Sequence, residues 1–276
     1  MAISTELIGR TLTPITHSWD DRDVLLYALG VGARPPLDLA VLDEHGGLGV
    51  LQTYALIPNW WVMKDARDLL DVEAPIVHAS QELELLRPIG SRGTVSVTAE
   101  VAAVWDKGSN SLIEIAAEGV EESGRPLFRT RSATMVLGVG GWGGERGPST
   151  PKADDPGPPD EVFDDVVRPE QSAIYRLLGD RNPLHIDPER AKAAGFPDVF
   201  LHGLCTMGFA GRAVVHALGD GEPASLKALG CRFAKPVMLD GPLRTEMWRG
   251  TDGSVTFRTL QDDVVVLASG TARVEA

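Results

Sequence analysis

Cysteine is scarce: the 276 residues contain two, Cys205 and Cys231. Two thiols make neither a disulfide framework nor a zinc-ligand cluster, so a reducing, cytoplasmic setting without a structural metal is expected. Long apolar runs are missing too, which excludes a membrane span. The opening MAISTELIGR lacks the basic start and apolar stretch of a secretory signal, so export is not expected either. Positive charge is in deficit, with 26 Lys+Arg against 39 Asp+Glu and a formal net charge of −13. Such a chain repels nucleic-acid phosphates and acidic lipid, and an anionic small ligand would need a local basic patch. What is present is ordinary for a soluble globular protein: 43% hydrophobic and 24% charged residues. The length suits two domains or one large one.

Between Gly138 and Pro159, 7 Gly and 5 Pro fill 12 of 22 positions and apolar periodicity disappears, as in a linker. Gly138, Gly140 and Gly143 match G-x-G-x-x-G, but no helix opens after them, since Glu145–Pro151 reads as a Pro-interrupted loop. A dinucleotide site needs that helix N-terminus, so the match is rejected. The flanking segments read as copies. Helix-like Asp23–Leu29 ends at Gly30, and Gln171–Leu178 ends at Gly179; Pro88 and Gly93 find counterparts in Pro236 and Gly241. The offsets are 179 − 30 = 149, 236 − 88 = 148 and 241 − 93 = 148. Register kept within one residue implies duplication. The expected organisation is an N-terminal domain over residues 1–137, a linker over 138–160 and a C-terminal domain over 161–276.

In the second copy Leu204, Met207, Gly208, Gly211, Val214, Val215 and Leu218 recur at helical spacing until Gly219, and the small residues should let a sheet wrap closely. Lys227–Ala234, Leu243–Trp248, Val255–Leu260 and Val264–Val274 then read as strands joined by tight turns, hence antiparallel. The fold class implied is α+β, a curled antiparallel sheet around one long helix, made twice.

Reactive residue types concentrate in Tyr175-Arg176-Leu177-Leu178-Gly179-Asp180-Arg181-Asn182-Pro183-Leu184-His185-Ile186-Asp187-Pro188. Local structure accounts for part of it: Gly179 ends a helix, Asp187 caps the next, and Pro188 is its first residue. Capping does not account for Asp180, Asn182 and His185 on one loop. A carboxylate and an imidazole five residues apart can share one water, oriented by the Asn amide; an Asx-turn with His185 bonded to backbone fits the spacing equally. His202-Gly203 precede the long helix, whose unpaired N–H groups suit developing negative charge. Gly203 reads as an oxyanion donor or a simple cap, and His202 as a packing or substrate-adjacent residue.

The string Tyr175 through His185, with GDRNPLH at Gly179–His185 and Leu201-His202-Gly203-Leu204-Cys205 following, resembles the MaoC-like dehydratases, specifically the (R)-specific enoyl-CoA hydratases of the double hot-dog fold. The resemblance extends through Asp21–Ala33, His78–Pro88 and Gly140–Pro148. It implies that Asp180 and His185 form a catalytic dyad, that Asn182 helps hold the water, and that Gly203 offers its N–H to the thioester oxygen. The implied reaction is reversible syn addition of water to a trans-2-enoyl-CoA, giving a (3R)-3-hydroxyacyl-CoA, in β-oxidation of fatty acids or a steroid side chain. No metal or redox cofactor is implied, since coenzyme A is part of the substrate, and a homodimer is expected.

Register sets Val31 opposite Asp180 and Pro36 opposite His185, so the N-terminal half should be non-catalytic. In the family that half loses much of its central helix to house the acyl chain. Here Tyr54–Met63 carries Pro58, Trp60 and Trp61, which suggests a broken or displaced helix whose tryptophans line an acyl tunnel or serve as core. Arg232 and Lys235 are candidates for the phosphates of coenzyme A, against ordinary solvated charges. Met238-Leu239-Asp240-Gly241-Pro242 departs from the family's proline-glycine-glutamate turn. The competing readings are a dehydratase of carrier-protein thioesters, a non-catalytic acyl-thioester-binding subunit, and a hot-dog thioesterase.

Overall fold

Alternating burial along β-rich segments builds one sheet. The computed structural model describes residues 3–63, 66, 70, 73–149, 156–251 and 253–275. Its strands are β1 (Ile15–Trp19), β2 (Ile76–Leu85), β3 (Gly93–Asp106), β4 (Ser111–Glu121), β5 (Pro126–Val136), β6 (Glu161–Val167), β7 (Leu226–Phe233), β8 (Gly241–Arg249), β9 (Val255–Gln261) and β10 (Val264–Val274). In β9, for example, Val255, Phe257, Thr259 and Gln261 turn inward while their neighbours are half-buried or exposed, the period-two pattern of a sheet with one face on a core. The ten strands lie in the order β1-β3-β4-β5-β2-β7-β10-β9-β8-β6, and every pairing is antiparallel.

The duplication is visible in this order. Each half has its first, third, fourth, fifth and second strands side by side, and the halves join where β2 meets β7. At that seam Glu82 faces Gly230, and 230 − 82 = 148, the offset of the proline landmarks. Equivalent irregularities end both strands: Leu86 and Arg87 both donate to the Leu127 carbonyl, and Ala234 and Lys235 both donate to the Val266 carbonyl.

The helices are α1 (Asp21–Gly30), α2 (Leu56–Met63), α3 (Gln171–Tyr175), α4 (Pro188–Ala193) and α5 (Gly203–Leu218). Asp20 and Asp23 close a capping box on α1. That helix includes Gly30, and its left-handed residue is instead Gly32 at φ +87°, where a Cβ would meet the Phe209 ring at 2.2 Å. Asp187 caps α4 by accepting from Glu189 and Arg190 N–H, as expected.

Helix α5 departs from the expected single apolar face, because every residue from Leu204 to Val215 is buried. The sheet covers one side and the N-terminal half covers the rest. Its small residues therefore make room chiefly for the other half: a Cβ on Gly208 would lie 2.4 Å from Val31 Cγ1, and one on Gly211 would lie 2.6 Å from Thr53 Cγ2, with Leu229 of the sheet next at 3.1 Å. The counterpart α2 is described over Leu56–Met63, and Pro58 does not break it there. Pro58 is its third residue, in the first turn, where a missing N–H costs least. Residues 66 and 70 are helical as well, and the remainder of 64–72 falls outside the described residues.

The start of the linker is held down. The Asp106 carboxylate accepts N–H groups from Gly108, Gly141 and Gly143, and Trp142 Nε1 donates to Ser111. These backbone donors keep the Asp106 carboxyl below its ordinary range. The glycines thus do receive an anion, but it is a carboxylate of the chain's own β3–β4 hairpin, and no helix opens over residues 145–149.

Candidate active site

Helix α3 continues into a 3-10 turn, Arg176–Leu178, and stops at Gly179, whose φ of +134° turns the chain into the loop. The same glycine lets the loop sit under Trp61, because a Cβ there would lie 2.7 Å from the indole. Two local bonds shape the loop. Asp180 Oδ1 accepts the Asn182 N–H at 3.1 Å, and Asn182 Oδ1 accepts the Leu184 N–H at 3.1 Å, capping a 3-10 turn over Pro183–His185. Asn182 is therefore an exposed cap, and it also forms part of a cavity wall.

His185 is buried between the Phe200 ring, edge-on at 4.8 Å, and the His202 ring at 3.8 Å. Its Nδ1–H donates to the Phe200 carbonyl at 2.8 Å, which leaves Nε2 with a lone pair. Burial lowers its pKa below 6.5, outweighing the opposing effects of the Phe200 carbonyl and the Asp180 charge. His202 Nε2–H donates to the Asp180 carbonyl at 3.0 Å, tying the N-terminus of α5 to the loop. Burial, aided by His185, pushes His202 down to about 3, so it stays neutral. A carboxylate oxygen of Asp180 and one ring nitrogen from each histidine lie within 4.8 Å of one another. Among the described residues this is the only buried group with spacing that would also suit a metal ion.

The loop opens into a cavity of about 540 Å³ lined by Gly179, Asp180, Arg181, Asn182 and Leu204 from the C-terminal half. Trp60, Met63, Leu70 and Ile76 supply an apolar wall from the other half, beside polar Asn59, His78, Gln81 and Ser132. A larger groove of about 630 Å³, rich in glutamates such as Glu82, Glu84 and Glu100, holds none of the loop residues.

Asp180, His185 and His202 are thus brought together, and Gly203 opens α5 directly after His202. The Gly203 N–H meets no acceptor among the described residues. Trp60 lines the cavity, while Trp61 packs on Gly179. His202 lines no part of the cavity and sits behind the loop instead. Arg232 and Lys235 are exposed and do not line it either, since strand alternation turns Phe233 toward Gly203 and Arg232 the opposite way. Arg181, inside the motif, is the basic residue that does reach the cavity. The Met238 turn is firm: Gln261 both accepts from the Met238 N–H and donates to its carbonyl, and Met238 bridges to Phe200, the residue that holds His185.

The profile described as "MaoC like domain" matches residues 154–269, and "MFE-2 hydratase 2 N-terminal domain" matches residues 17–138. A curated relative, 3-hydroxyacyl-thioester dehydratase Y of Mycobacterium tuberculosis, is 42% identical over 94% of this chain and 92% of its own length. A probable enoyl-CoA hydratase 2 of Dictyostelium discoideum is 33% identical over 98% of this chain and 96% of its own. Among solved structures, the full-length peroxisomal multifunctional enzyme type 2 of Drosophila melanogaster superposes with a TM-score of 0.84 at 30% identity, over 96% of this chain and 48% of that protein. With both halves matched and the double hot-dog architecture in place, the chain belongs to the MaoC-like hydratase–dehydratases of the enoyl-CoA hydratase 2 type, a family of hydro-lyases.

Proposed function

We propose that this chain adds water reversibly to a trans-2-enoyl-CoA to give the (3R)-3-hydroxyacyl-CoA. The observation that carries the reading is a neutral imidazole, His185, with a bare Nε2 and a ring nitrogen within 4.8 Å of an Asp180 carboxylate oxygen; His185 does not itself line the cavity with the apolar wall, which Asp180 does. In this reading Nε2 takes a proton from water as its oxygen bonds to C3, and the Asp180–His185 pair returns a proton to C2, so one O–H bond and the C2=C3 π bond break while C3–O and C2–H bonds form. Charge that builds on the thioester oxygen meets the Gly203 N–H and the positive end of α5, a contribution on the order of 10²–10³ in rate. His202 acts through the Asp180 backbone and transfers no proton. Trp60, Met63 and Leu70 receive the acyl chain, in fatty-acid or steroid side-chain degradation, and the chemistry calls for no metal or redox cofactor.

The test is loss of conjugated-thioester absorbance with enoyl-CoA substrates of graded chain length and with a steroidal enoyl-CoA, followed by chiral analysis. A (3R) product is expected; a (3S) product, or inactivity throughout, overturns the reading. Carrier-protein thioesters in parallel distinguish the alternative donor. The pH profile adds a check. His185 must be neutral to act, and burial lowers its pKa, so kcat/KM should hold as pH drops through 6.5 and fall only at lower pH. An acid limb at or above 6.5 would contradict this.

A further inference from the structure

We propose that His78, on β2 of the N-terminal half, hydrogen-bonds the bound acyl thioester directly, so that the half without Asp180 and His185 still contributes to the reaction site. The identity of the ligand rests on the hydratase reading; the placement of His78 does not.

Simple alternation along β2 would put His78 on the same face as Glu82 and Glu84, which line the acidic groove on the far side of the sheet. The ladder with β5 slips instead. His78 faces Thr134 and Ser80 faces Ala133, with Ala79 as the extra residue, so the strand bulges between them. Bulges re-aim side chains, and this one brings His78 to the cavity that Gln81, three residues on, also lines. The His78 ring packs at 4.6 Å on Phe233, and Phe233 in turn stands 3.3 Å from where a Cβ on Gly203 would be. One aromatic ring therefore separates His78 from the start of α5.

The orientation leaves His78 Nε2 buried without a hydrogen-bond partner among the described residues. An unpartnered buried nitrogen costs stability, and a ligand that satisfies it recovers that cost on binding. Burial pushes the group down to about 4, against the opposing pull of the Ser80 backbone and the Gln81 side chain, so the imidazole is neutral at working pH. It therefore carries a hydrogen bond and no charge, as suits the uncharged thioester arm of the substrate. The neighbouring polar side chains satisfy one another: Ser132 donates to Gln81 Oε1 at 2.7 Å, and Thr130 donates to Asn59 Oδ1 at 2.6 Å.

The test compares His78→Phe, which keeps the ring contact with Phe233 and removes hydrogen bonding, with His78→Gln, which keeps a polar reach. Hydration kcat/KM, affinity for the saturated decanoyl-CoA and Tm are read for each. The phenylalanine variant is expected to lose about 10- to 100-fold in kcat/KM and to bind decanoyl-CoA more weakly at a Tm equal to or above that of the wild type, and the glutamine variant to stay within about fivefold. Activity and affinity within twofold in His78→Phe would overturn the proposal, as would equal losses in both variants, which would mark a packing role. If the wild type binds decanoyl-CoA yet hydrates no enoyl-CoA, the reaction reading fails while the binding comparison still decides on His78. A wild type that binds no acyl-CoA overturns both.

Discussion

His185→Gln and Asp180→Asn are each expected to lower kcat for enoyl-CoA hydration by about 10²–10⁴-fold, the range for losing a positioned acid or base. Both changes are nearly isosteric. Glutamine can still reach the Phe200 carbonyl that holds His185, and asparagine can still accept the Asn182 N–H that shapes the loop. KM should change little, because the lost interaction belongs to the transition state, and Tm should stay near that of the wild type. The two losses should also fail to add in the double variant, since one proton relay is broken in each case. Either single variant retaining a tenth of wild-type kcat would remove the dyad from the mechanism.

The second large effect concerns stability and lies at the other end of α5. Arg212 is completely buried, donating to both Asp38 oxygens at 2.7 and 2.8 Å and also to Asp165. Asp38 belongs to the N-terminal half and Asp165 to β6, so one guanidinium ties the halves together. His216 reaches Asp38 at 2.7 Å as well. Burial works against the Asp38 charge, but hydrogen bonds from His216 and Arg212, the Arg212 charge and the Arg34 N–H hold its carboxyl far below the ordinary range. Arg212→Met removes the buried positive charge that lies between Asp165 and Asp38 and should cost about 3–5 kcal/mol. For a chain of this size that corresponds to a fall in Tm of about 10 °C, measured by calorimetry at pH 7. Adding Asp38→Asn and Asp165→Asn should recover most of it. A single variant melting within 2 °C of wild type would show the network to be energetically neutral. The lowered carboxyl also sets the sign with pH. Its stabilisation is complete above the ordinary carboxylate range and is lost as pH falls toward the folded-state value, so the network adds to acid unfolding and not to unfolding at high pH.

The loop, the Asp187 cap and the strands of the second half were legible in the sequence because their signals are local. Gly179 needs a positive φ, Asp187 caps the helix that opens after it, and β9 alternates strictly, whereas the Asn182 cap of the 3-10 turn emerged only in the structure. Arg212 was hidden by the same local logic, since a charge within an apolar helical run reads as solvated until the loop bearing Asp38 folds over it. His78 was hidden by one inserted residue, because a bulge reverses the faces that alternation assigns and leaves no compositional trace. Arg232 and Lys235 follow from the need for a basic patch, but strand alternation turns Arg232 away from the cavity and Lys235 lies beyond the end of β7. Pro58 suggested a broken or displaced helix, but it sits in the first turn of α2, where a helix tolerates it.

The seam between the halves governs the choice of partner. Glu82 meets its own counterpart, Gly230, across the local twofold, and its side-chain stem passes 3.4 Å from where a Cβ on that glycine would stand. Two N-terminal halves joined in this register would set Glu82 against Glu82, with Ser80 facing Glu84, and like charges directly opposite are destabilising. Two C-terminal halves would set Gly230 against itself and have no side chain to bury there. Only the unlike pairing places a long acidic side chain over a bare backbone, so this register suits the two different halves better than two copies of either one.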